Sequence, residues 1–208
     1  MSVDFTAILS HPFDDSDILT VPERLNADRE KLGKAKSQYH AFIKQTGYFL
    51  LEDDIVWHWE EGLHEWKGNN PDAIWNSNNP IELVGSPLLR IHFGRGACDL
   101  SAPLGWRTFL TDSRFQIETR KVCFAIAQAF AGDKAIYLPD SASQVSVAAD
   151  RVYENDNLQQ IEDWLKQNIG EPSPTIEHLQ ELIKTEDWEG YFIDHFPDFS
   201  PGSLTWTK

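Results

Sequence analysis

Residues 89–93, "LRIHF", alternate strictly, with Leu89, Ile91 and Phe93 apolar and Arg90 and His92 polar. That two-residue period predicts a strand with one face buried, and it sends Arg90 and His92 together to the other face. Gly94 and Gly96 follow at once and predict a turn or bulge that ends the strand. Farther on the period changes. Phe115, Val122, Ile126 and Phe130 recur at spacings of seven, four and four, which predicts a helix starting at a cap of Asp112 or Ser113 and running to about Ala131, closed by Gly132. An earlier helix is expected over Asn26–Thr46, capped by Asn26, with Leu32, Tyr39, Phe42 and Ile43 as its apolar stripe and Gly47 at its end. A later one should follow Asn155 or Asp156, with Leu158, Ile161, Leu165 and Ile169 inward, and "EPSPTIEHLQELIK" opens another with Pro174 in its first turn.

Short strands are expected at "YFLL" (48–51), "KAIYLPD" (134–140) and "GYFIDHF" (190–196), while residues 1–25 and 197–208 read as irregular. The stretch 55–80 carries four Trp in a polar setting and ends in an Asn- and Pro-rich loop, so its periodicity favours neither element. Strands and helices do not alternate regularly. The expected fold is therefore α+β, a single domain over 1–208 with a mixed or antiparallel sheet packed with about four helices.

Composition narrows the function classes. With 208 residues, 41% hydrophobic and 25% charged, the chain can bury a sizeable core. No apolar run is long enough to span a bilayer, and the N-terminus lacks the basic start and apolar stretch of a signal peptide. Two cysteines, Cys98 and Cys123, do not make a disulfide framework and point to the cytoplasm. A net charge of −15 argues against nucleic acids and anionic membranes and favours a basic protein partner. The charge is uneven. Residues 140–200 hold fourteen acids and three bases, whereas five of the eight arginines fall within 87–121.

That arginine-rich window holds the candidate chemistry. "GRGACD" is not a dinucleotide fingerprint, because Asp99 stands where a third small residue belongs. Arg90 and His92 on one strand face, with Arg95 in the glycine turn and Arg107 beyond, are candidates to hold a carboxylate or phosphate. Cys98, near these cations, is a candidate reactive thiol. His58 and His64, six apart among Glu60, Glu61 and Glu65, do not match the three- or four-residue spacing of a helical metal pair. Asp194 is placed to orient His195, but no serine elbow accompanies it. Trp57, Trp59, Glu60, Glu61 and Trp66 combine aromatic rings with carboxylates, a composition suited to gripping Lys- and Arg-rich surfaces. No cofactor and no metal is expected. Two readings follow: a non-catalytic protein-binding module, in its most concrete form an antidote- or immunity-type inhibitor of a basic enzyme; or a small-molecule enzyme or anion-binding domain built on residues 90–107.

Overall fold

Thirteen elements account for most of the residues that the computed structural model describes, namely 3–13, 29–46, 57–59, 81–85, 89–141, 143–184 and 189–196. In chain order they are β1 (Asp4–Ser10), α1 (Arg29–Thr46), β2 (Trp57–Trp59), β3 (Ile81–Gly85), β4 (Leu89–Phe93), β5 (Ala97–Gly105), α2 (Trp106–Thr111), α3 (Ser113–Ala129), β6 (Lys134–Pro139), α4 (Val147–Tyr153), α5 (Leu158–Asn168), α6 (Ile176–Lys184) and β7 (Phe192–His195). The seven strands form one sheet in the order β2-β3-β4-β5-β1-β6-β7, with every neighbouring pair antiparallel. The fold is α+β.

Two expectations need correction. Residues 4–10 are not irregular; they form β1, flanked by β5 and β6 deep in the sheet. Phe5–Leu9 is buried on both faces, so it shows a continuous run rather than the alternation of a half-buried strand. The described residues also hold six helices rather than about four. The extra two, α2 and α4, are six and seven residues long, too short for an apolar period to declare itself. The strand expected at 48–51 lies outside the described residues.

Strand alternation sorts the core onto two faces. On one face Phe5, Ala7 and Leu9 of β1, Leu89, Ile91 and Phe93 of β4, Cys98 and Leu100 of β5, and Tyr137 of β6 meet α1, α2, α3 and α6. Aromatic rings dominate there: Phe109 of α2 lies 4.7 Å from Phe5, 5.4 Å from Tyr137 and 5.5 Å from Trp106, centroid to centroid. On the opposite face Ile8, Ala97, Ile136 and Leu138 meet Val145, Ala148, Val152, Ile161 and Leu165 from α4, α5 and the chain before them. Capping fixes where these helices begin. Asp112 accepts from the N–H groups of Arg114 and Phe115, both at 3.0 Å, at the start of α3. At α5 the cap is Asn157, not Asn155 or Asp156, and it forms a reciprocal capping box with Gln160. Asn155 instead takes a left-handed φ of 69° just past the end of α4.

Helix charge follows the same division. Residues 29–46 carry five bases and one acid, and residues 106–129 carry four bases and two acids. The segment 140–175, which includes α4 and α5, carries seven acids and two bases. The sheet thus separates the basic helices α1, α2 and α3 from the acidic segment that includes α4 and α5. Among the described residues no helix is long and apolar enough to cross a membrane.

Candidate functional site

The polar side chains of "LRIHF" lie on the α4–α5 face, toward the β2 end of the strand order. The strand pairing carries two residue rows across it. One passes from Glu82 of β3 through His92 and Asp99 to Ile8 of β1 and Ile136 of β6. The other runs from His58 of β2 through Val84, Arg90 and Ser101 to Thr6. Among the described side chains, the first row changes from polar at His92 and Asp99 to apolar at Ile8 and Ile136 as it passes beneath α4, which packs on β5 and β1.

His92 is the centre of the polar end. Its Nδ1 lies 3.0 Å from Asp99 Oδ1, and the two side chains are only 16% and 6% exposed. The His92 ring also rests against Tyr153 at the end of α4, with centroids 5.5 Å apart. A carboxylate and an aromatic ring together set the imidazole's orientation, the arrangement that readies a histidine for proton transfer or for contact with an anion. Arg90, two residues before it on the same face, is exposed.

The remaining sequence candidates do not converge on this pair. Arg95 is half-buried in the β4–β5 turn, and the turn is closed by packing rather than open as a cradle. A Cβ on Gly94 would lie 2.3 Å from the Val152 carbonyl oxygen, and one on Gly96 would lie 2.9 Å from Asn157 Cβ. Gly96 also sits at φ +85°, where a side chain is strained. These glycines let the hairpin seat on the α4–α5 connection, which Arg151 and Asp156 brace with an ion pair. Arg107 is exposed on α2, whose apolar residues join the other face of the sheet. Asp99 and Gly105 are six strand residues apart, so Arg107 lies roughly 20 Å along the chain direction from the His92–Asp99 pair.

Cys98 requires a correction. It lies in β5, fully buried, with its side chain on the opposite face from Asp99 and away from the arginines. Burial pushes its thiol well above the ordinary range, and the charge of Asp99 adds to the shift. Cys123 is also buried in that core, and its thiol is likewise raised by burial. Neither has the lowered pKa of a nucleophile. Asp194 does not orient His195 either. Successive strand residues point to opposite faces, so Asp194 turns inward while His195 is exposed. Asp194 accepts from Arg120 Nε at 2.8 Å, Arg120 Nη2 at 2.7 Å and the Tyr137 hydroxyl at 2.9 Å.

Trp57 and Trp59 occupy β2 at the edge of the sheet, in register with Gly85 and Leu83. Glu60, Glu61, His64, Glu65 and Trp66 lie outside the described residues. Among the described residues no three His, Cys, Asp or Glu side chains gather in a group that could hold a metal ion. Sequence reasoning missed two arrangements. The His92–Asp99 pair needed the β4–β5 register, which a hairpin with a three-residue turn makes inferable. The Arg120–Asp194–Tyr137 cluster joins residues up to 74 positions apart and has no local signal.

The chain matches no protein-family model, no curated protein and no solved structure.

Proposed function

We propose that this protein is a non-catalytic, cytoplasmic binding module for a protein partner with a basic surface, in the manner of an antidote- or immunity-type inhibitor of a basic enzyme. The observation that carries this reading is the acidic helix layer. Asp140, Asp150, Glu154, Asp163 and Glu171 are all exposed along one segment, on a chain whose net charge is −15. Such a surface attracts a basic partner from a distance and rejects acidic competitors. The reading is also supported by where the candidate nucleophile lies, since Cys98 is buried with a raised thiol pKa.

Affinity purification of the tagged protein from its own cells tests the proposal. A stoichiometric basic partner is expected, with an association rate that falls about tenfold between low and physiological salt. The combined change Asp150→Lys, Asp163→Lys and Glu171→Lys should abolish capture. An association rate indifferent to salt, or capture that survives the triple reversal, would sink the reading.

A second reading rests on the polar end of the sheet. Arg90 and the Asp99-held His92 share one face, a combination suited to a phosphate or carboxylate. Phosphate should then raise the melting temperature of the parent protein and not that of Arg90→Gln. No response in the parent removes this reading.

A further inference from the structure

The outer side of α1 is the most basic part of the basic helices, in a chain whose net charge is −15. Its inner stripe, Ala35, Tyr39, Phe42 and Ile43, is buried against the core, which fixes the helix rotation. Among the described side chains of 33–46, the exposed positions are Lys34, Lys36, Ser37, His40, Lys44 and Gln45, with no acid and no apolar side chain among them. Lys36, His40 and Lys44 are four residues apart, so they form a single ridge about 12 Å long with neighbours about 6 Å apart. Arg114 of α3, itself exposed, reaches the Gln45 carbonyl at 3.3 Å and places another base at the end of the ridge. Five of the chain's eighteen Lys and Arg residues fall on this one helix.

We propose that the outer face of α1 is a docking surface for an acidic protein segment that presents carboxylates at helical four-residue spacing. Charge complementarity selects the class of partner. A nucleic acid carries continuous negative charge and would run off a 12 Å ridge onto a molecule that is otherwise strongly acidic, whereas a short segment need not. A membrane surface is poorly matched too, because the described exposed positions of α1 offer no aromatic or aliphatic side chain to insert. At physiological ionic strength the screening length is about 8 Å, so a short ligand responds mainly to the ridge and its basic neighbours. This surface lies across the sheet from the acidic layer, and the proposal is independent of the function proposed above.

The test uses the full chain and three probes: a helix-forming peptide with Glu at positions i, i+4 and i+8, a single-stranded oligonucleotide, and vesicles containing phosphatidylserine. The peptide should shift the amide resonances of Ser37, His40 and Gln45 at low salt. Lys36→Glu with Lys44→Glu should weaken binding about tenfold, the combined effect of two exposed ion pairs, while Asp163→Lys in the acidic layer should not weaken it. Peptide shifts absent from α1, or affinity unchanged in the double variant, would overturn the proposal. So would tighter binding of the oligonucleotide or the vesicles than of the peptide.

Discussion

The two faces of the sheet are built from the same strands yet carry different burdens. One is covered from β4 to β7 by apolar and aromatic side chains beneath α1, α2, α3 and α6. Among the described residues the other is apolar where α4 and α5 cover it and polar at Arg90, His92 and Asp99. Neighbouring residues in one strand therefore belong to different physical regimes. Ile91 answers to packing, whereas Arg90 beside it is exposed. Stability and candidate function are divided by strand parity. A change on the first face tests the fold, and a change on the second tests the site.

The largest effect is expected at Ile91→Ala. Ile91 is fully buried, so loss of its side chain should cost roughly 2–5 kcal/mol in chemical denaturation. A cost below about 1 kcal/mol would mean that the first face is not the closed core described.

His11 probes the same face through pH. It is buried just past β1, with Nε2 3.0 Å from the Gly94 carbonyl and Nδ1 accepting the Phe13 N–H at 3.2 Å. Its ring sits 5.1 Å from Phe13 and 5.7 Å from Phe93, centroid to centroid. Both nitrogens are used by the neutral ring, and burial lowers its pKa to about 4 against backbone hydrogen bonds that raise it. Above pH 6.5 the unfolded histidine is neutral as well, and His11 makes the stability no more pH-dependent. As pH falls from 6.5 toward 4 only the unfolded state takes up the proton, so stability drops, by about 3 kcal/mol in total. Denaturation of the parent and of His11→Gln across this window should show a steeper loss in the parent. Parallel curves would remove His11 as the cause.

The smallest effect is expected at Arg90→Gln. An exposed arginine contributes little through surface pairing, so the variant should lie within about 1 kcal/mol of the parent. A loss as large as that of Ile91→Ala would make Arg90 a structural residue and erase the distinction between the faces.

Much of this organisation was legible in the chain. Periodicity located β4, α3, α5 and α6 and separated Arg90 and His92 from Leu89, Ile91 and Phe93, because side-chain direction follows from local backbone geometry alone. The α1 ridge is equally local and needed only the buried stripe to orient it. Tertiary structure decided the rest. β1 lacks alternation because it is buried on both faces, so its central place in the sheet has no sequence signature. Cys98 looks reactive beside arginines and glycines, but the register of β5 turns it into the core. Arg107 shares a sequence window with Arg90 and leaves on another element. Asp194 finds Arg120 and Tyr137 only after β6, β7 and α3 have packed. The dividing line is range: the sequence by itself sets which face of its own element a residue occupies, while strand order and helix packing decide which other residues that face will meet.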